Sequence, residues 1–257
     1  MSPKNAFQVW CLMMGGLSGC EVVFPLEGPP TTCQPSDDPV GYWRLDETTG
    51  PIAKDSSGNG IDGVYRGAVG FGVAGVFPGE TAVSVGTDLG GVDLGNHFDF
   101  AGTAAFSVEA WVQPRVLDSG AFRHIVTKQH RTSPKAGWAL LIDPGGNAFF
   151  ERFVNDAVHE DSPHAQVAVS EYTQLVGTYD GQQLRLFANS LDLGVVPFTG
   201  AMPPVTEPAV IGGASIADAD APLDGDIDEV TIYDFALTND QVRAHFVAQR
   251  PFCPSGR

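Results

Sequence analysis

Gly225–Tyr233 reads GDIDEVTIY, and this stretch decides the fold. Ile227, Val230 and Ile232 are apolar among polar neighbours, the mark of a strand with one buried face. Asp224 and Asp226 place an acidic turn before it. Beyond the strand, Thr238 is followed three residues later by Gln241, which is capping-box spacing. Val242 and Phe246 then fall on one face of a short helix. An acidic turn, an alternating strand and a closing helix therefore end the domain.

Working upstream, more strands with the same logic appear. Phe106, Val108, Ala110 and Val112 alternate inward, leaving Ser107, Glu109 and Trp111 on the other face. Strands are expected at Val40–Leu45, Thr81–Val85, Val92–Leu94, His124–Lys128, Gly137–Ile142, Ala148–Val154, Gln166–Ser170, Tyr172–Tyr179, Gln183–Ala188, Val195–Phe198 and Ala209–Ile211. Gly67–Phe77 reads as a loop with a short strand, and residues 155–164 read as a polar loop. Asp180-Gly181 is the strongest hairpin signal. With 31 Gly, 19 Pro and 43% apolar residues in 257, many short strands and tight turns suit the composition better than a helical bundle. The expected fold is all-β: two antiparallel sheets face to face with one short C-terminal helix.

Several segments in this order resemble the laminin-G-like, concanavalin A-like jellyroll family found on bacterial surface proteins. They are Tyr42-Trp43-Arg44-Leu45-Asp46-Glu47, the DSSGNGIDG turn from Asp55 to Gly63, FSVEAWVQP from Phe106 to Pro114, the hairpin from Val176 to Asn189, Ile211-Gly212-Gly213, and the closing GDIDEVTIY. The resemblance covers roughly residues 38–248. It implies a jellyroll sandwich and, where the opening turns meet the last strand, a structural calcium ion held by Asp46, Asp55 and Asp228. Hard cations take such oxygen ligands. Two other roles compete: Asp55 as an Asx-type turn former, and Asp228 as a cap on a backbone group.

The first twenty residues read as a targeting segment. Lys4 precedes a short apolar run, Val9–Leu17, too short to cross a bilayer. Leu17-Ser18-Gly19-Cys20 resembles a bacterial lipobox, which implies cleavage before Cys20 and lipidation of that cysteine. Residues 1–19 are then a signal peptide, 20–37 a lipidated Cys with a Pro-rich tether, 38–250 the domain and 251–257 a tail. The resemblance places the chain at the bacterial cell envelope, and Glu21 in place of a retaining aspartate favours the outer membrane. Cys33 and Cys253 flank the domain and are expected to form a disulfide. The net charge of −17 and the lack of a basic run argue against nucleic acid as a partner.

Catalytic signatures are few. Glucanases of this shape carry Glu-x-Asp-x-x-Glu on one strand, placing three carboxylates on one face; no glutamate here has Asp two residues later. Glu109 and Glu151 lie on strands without such partners. There is no Gly-x-Ser-x-Gly elbow and no phosphate-binding glycine motif. His159 and His164 have metal-compatible spacing but sit in an expected solvated loop, as does the Asp218, Asp220, Asp224 and Asp226 run. Trp138, Phe150, Phe153, Tyr172 and His124 are candidates for a sugar-stacking platform, although aromatics in alternating strands usually pack inward. The expected function is non-catalytic recognition of a glycan or a surface protein. A glycoside hydrolase with atypical carboxylates and a structural or adhesion component are the alternatives.

Overall fold

The computed structural model describes residues 37–86, 90–117, 120–214 and 221–248. Cys20, Cys33 and Cys253, with their expected lipidation and disulfide, lie outside the described residues, as do Asp218 and Asp220.

Among the described residues the chain forms eighteen strands and one helix. In chain order they begin β1 (Gly41–Trp43), β2 (Ile52–Ala53), β3 (Gly63–Arg66), β4 (Val69–Ala74), β5 (Thr81–Val85) and β6 (Gly91–Asp93). Next come β7 (Phe106–Pro114), β8 (Arg123–His130), β9 (Ala136–Ile142), β10 (Asn147–Asn155), β11 (Val158–Asp161) and β12 (Ala165–Gln166). The remainder are β13 (Thr173–Tyr179), β14 (Gln183–Ala188), β15 (Leu191–Pro197), β16 (Val210–Ile211), β17 (Ala221–Pro222), β18 (Gly225–Tyr233) and helix α1 (Asn239–Ala248).

Sheet A runs β15-β14-β13-β7-β18-β5-β4, with β1 also on β18. Sheet B runs β11-β10-β9-β8-β16-β6-β3-β2, with β12 on β10 and β17 on β8. Every pairing is antiparallel except β17 with β8. The first and last strands meet, Gly41 opposite Ile232 and Trp43 opposite Val230. The core between the sheets is built from the inward residues of both: Phe106, Val108, Ala110 and Val112 from sheet A, and Ile125, Trp138, Leu140 and Phe150 from sheet B.

The closing strand contains a bulge that its sequence hints at. Ile227 and Val230 are three apart, yet both face the core. Strict alternation would send one of them outward. The register against β7 shifts between Asp228 and Thr231, and Glu229 takes a φ of 51°. The extra residue resets the alternation.

Several expectations are corrected. Val158–Asp161 is strand β11, not loop; its polar residues belong to an edge strand, where one side faces water. Of Gln166–Ser170 only Gln166 is in a strand, because Val167 onward leaves β10. Gly67–Phe77 contains a full strand, β4. Asp224 and Asp226 are not a solvated run: Arg115 pairs with both, at 3.2 and 2.8 Å. Two long cations face inward. Arg152 lays its guanidinium 4.3 Å from the centre of the Tyr179 ring and donates to the carbonyls of Gly200 and Gly102. Lys128 Nζ donates to Asn96 Oδ1 at 2.7 Å and to the Glu207 carbonyl at 2.6 Å.

Candidate functional site

The two sheets finish their outer faces differently. On sheet A, Val176, Phe187 and Tyr233 point away from the core and are covered by Leu237 and Val242. Helix α1 starts as the sequence indicates. Thr238 N donates to Gln241 Oε1 at 2.9 Å, and Gln241 N donates to Thr238 Oγ1 at 3.3 Å. The indole of Trp111 stacks on Phe246, centroids 5.7 Å apart. Glu109 is fully buried under the helix, so it has no access to a substrate.

On sheet B, lateral neighbours form a polar row on the outer face. Thr127 pairs with Ala139, Ala139 with Glu151, and Glu151 with Asp161 of β11. Directly opposed residues of an antiparallel pair share a face. Glu151, expected to lack a partner, thus has Asp161 beside it; Gln129 and Glu151 are buried, so the reachable part of the row is the half-buried Arg131 and Asp161. Gln129 Nε2 donates to Glu151 Oε1, and the Arg131 guanidinium lies 3.6 Å from the same oxygen. Burial pushes the Asp161 carboxyl up, against the pull of His164 and His159.

Rings flank this row. Phe149 and Phe153 lie two residues either side of Glu151 on the same face. The His164 imidazole stacks on Phe149 at 4.7 Å, and His159 stacks on Phe153 at 4.5 Å. Both histidines therefore pack on rings. Of the other platform candidates, Trp138 and Phe150 are buried in the core and His124 is buried. Tyr172 donates its hydroxyl to the Ala74 carbonyl at 2.9 Å.

The calcium candidates come from the seam where β1, β5 and β18 meet. Asp228 lies on the bulge. Its Oδ2 accepts from Val76 N at 2.9 Å, while Oδ1 is buried without a hydrogen-bond partner. Burial pushes Asp228 up to about 7 and Glu229 up to about 8. Asp46 and Glu80 add to the negative field on Asp228. Arg44 is 3.3 Å from Asp46, 3.0 Å from Glu80 and 3.9 Å from Glu229. Asp55 stands apart: Oδ1 accepts from the Tyr42 and Ser57 amides and Oδ2 from the Ile61 amide, which is the Asx-turn role. No three His, Cys, Asp or Glu side chains among the described residues converge as a metal cage. An orphaned buried carboxylate oxygen, with further acids about it, nonetheless fits a hard cation completed by carbonyls and water.

A shallow cleft between the β13–β14 hairpin and the start of α1 has its charges matched internally. Asp180 accepts from the amides of Gln182 and Gln183, and Arg185 pairs with Asp192.

The model of the concanavalin A-like lectin/glucanases superfamily matches residues 86–243. The chain belongs to that superfamily. Solved structures share its fold at low identity. Domain 4 of AbnA, an extracellular GH43 arabinanase from Geobacillus stearothermophilus in complex with arabinotriose, aligns with a TM-score of 0.60 at 19% identity, covering 82% of this chain and 98% of that one. A Trypanosoma rangeli sialidase mutant displaying trans-sialidase activity aligns at 0.60 and 14% identity, over 84% of this chain and 33% of its own. The receptor binding domain of botulinum neurotoxin D aligns at 0.59 and 14% identity, over 83% of this chain and 53% of its own. The superfamily member described here thus spans about a third of the sialidase and half of the toxin domain. No curated protein matches it in sequence.

Proposed function

We propose that this protein is a non-catalytic recognition module that binds carbohydrate on the outer face of sheet B. One observation carries the reading: Gln129, Arg131 and Glu151 are joined by a hydrogen bond and an ion pair, Asp161 lies opposite Glu151 with its Oδ1 unpartnered, and ring stacks at Phe149 and Phe153 bracket them. Planar donors and acceptors beside rings match the alternating hydroxyl and C–H surfaces of a sugar. The arabinotriose complex of the AbnA domain supports a sugar as ligand, and the toxin domain's receptor binding keeps a protein ligand in view. The test is a glycan array with the full chain, followed by titration of the best ligand against Arg131→Ala and Phe153→Ala. Retention of a glycan that both variants weaken supports the reading; no retained glycan, or equal affinity in all three proteins, contradicts it.

A second reading rests on the Glu151–Asp161 pair. Directly opposed residues hold their Cβ atoms about 5 Å apart, a spacing from which two carboxyls can reach the separation used by retaining glycosidases. Asp161, whose carboxyl is pushed up by burial, would serve as acid and Glu151 as nucleophile. Release of reducing sugar by the wild type and its loss in Glu151→Gln would establish hydrolysis. Binding without release keeps the module non-catalytic.

The seam completes the proposal. Asp228 and Asp46, with Glu80, would hold a calcium ion whose charge offsets acids gathered in little water; Asp55 would shape the adjoining turn. At the chain start, Cys20 would carry lipid and residues 21–37 would space the domain from an outer membrane, with Cys33 bonded to Cys253. Metabolic labelling with a fatty acid, lost in Cys20→Ala, tests the anchor. Non-reducing mass mapping tests the bridge.

A further inference from the structure

Glu109, His245 and Asp37 form a line of ionisable groups that the binding reading does not use. Glu109 on β7 is fully buried. Its Oε1 accepts from Gln174 Nε2 at 2.6 Å and its Oε2 lies 2.8 Å from His245 Nδ1. The other imidazole nitrogen, Nε2, is 3.4 Å from Asp37 Oδ2. Gln241 Nε2 donates to Asp37 Oδ1, one helical turn from His245. The Tyr233 ring of β18 stacks on the imidazole, centroids 5.9 Å apart. Asp37, two strands of sheet A and the C-terminal helix thus surround one histidine.

We propose that this line is a proton-operated clasp: protonated His245 bridges Glu109 and Asp37, holding helix α1 and the segment at Asp37 against sheet A. A neutral imidazole has one N–H and can donate to only one of the two carboxylates. Loss of the proton therefore leaves a buried carboxylate facing a lone pair. Burial opposes the imidazolium, but Glu109 and then Asp37 override it and raise its pKa. The contribution is fully present below the ordinary imidazole value and is lost as pH rises through the raised one. Between those values each pH unit releases the helix about tenfold more often. Release uncovers Val176, Phe187 and Tyr233, the apolar patch beneath α1.

The seam acids also respond to pH, so the test must read α1 itself. Amide hydrogen exchange of residues 239–248 is followed in the full chain from pH 6 to 9, corrected for intrinsic exchange, alongside the imidazole carbon shifts of His245. The expected result is an opening of α1 that grows about tenfold per pH unit above about 6.5 and then levels, with His245 titrating above 6.5. Glu109→Gln should flatten that rise and leave the exchange of β9 and β10 unchanged. Should Glu109→Gln not fold, the wild-type titration decides alone. A His245 pKa at or below 6.5, α1 opening that ignores pH, or an undiminished rise in folded Glu109→Gln overturns the proposal.

Discussion

The outer faces of the two sheets solve the same problem in opposite ways. Each sheet turns one set of side chains to the core and must finish the other. Sheet A buries its second face beneath α1: an apolar patch of Val176, Phe187, Tyr233, Leu237 and Val242, with Glu109 and His245 paired beside it. Sheet B places Thr127, Ala139, Glu151 and Asp161 in a row and brackets it with Phe–His stacks. The face closed by its own helix keeps the Glu109–His245 pair beneath it, although Gln174 Oε1 and Trp111 Nε1 find no hydrogen-bond partner there. A face finished with planar polar groups and rings offers chemistry to a ligand. On the proposed reading, sheet A carries the structural work and sheet B the recognition.

The largest effect should come from damage to the closed face. His245→Ala leaves Glu109 buried beside Gln174 without its cationic partner. Breaking a buried pair costs roughly 3–5 kcal/mol, so Tm should fall by about 10 °C at pH 6, while the sugar affinity of the folded fraction stays unchanged. Calorimetry and a binding isotherm together read this. A small Tm change would mean that the helix is held by apolar contacts alone.

The seam sharpens the comparison, because its acids outnumber the single guanidinium of Arg44. Asp228 and Glu229 have raised pKa values, so the folded state binds more protons than the unfolded chain. Stability is then highest below pH 4 for this pair and falls as pH rises through about 7 and 8. Calcium should reverse the loss. At a hundredfold excess over Kd it contributes about 2.7 kcal/mol, raising Tm by several degrees at pH 8 and far less at pH 5. Asp228→Asn should abolish the calcium response. Thermal melts with calcium or chelator check both, and an unchanged midpoint at pH 8 removes the ion from the account.

On sheet B the expected effects are smaller. Phe153→Ala removes the ring beneath His159 and should weaken sugar binding about tenfold, the scale of one lost ring stack, with Tm reduced by only a few degrees. If Tm falls steeply while affinity holds, Phe153 is packing and not part of the site. The smallest effect returns to sheet A: Thr238→Ala breaks the capping box and should cost about 1 kcal/mol, read as faster amide exchange in the first turn of α1.

The sandwich was legible because its central strands obey simple periodicity. Phe106–Val112 alternates as written, and its outward set of Ser107, Glu109 and Trp111 is the set that α1 covers. Asp180-Gly181 turns between β13 and β14, and Thr238 with Gln241 caps the helix. The candidate site was less legible. Val158–Asp161 has the composition of a loop, and only its pairing to β10 brings Asp161 beside Glu151. Arg152 and Lys128 lie inside, held by the carbonyls of Gly200, Gly102 and Glu207, which no local spacing places near them. Glu109 and His245 are 136 residues apart, and no local spacing announces their contact. Local pattern determines which face a residue takes; strand order determines whom it meets there, and strand order is a property of the whole chain.

The central claim, that sheet B is the recognition face, is tested most directly by amide-shift mapping of the full chain with the tightest glycan from an array. Saturable shifts clustered on β8 to β11 around Glu151, with α1 silent, are the expected result. Shifts concentrated on α1 and the outer side of sheet A, or no saturable response to any glycan, would contradict it.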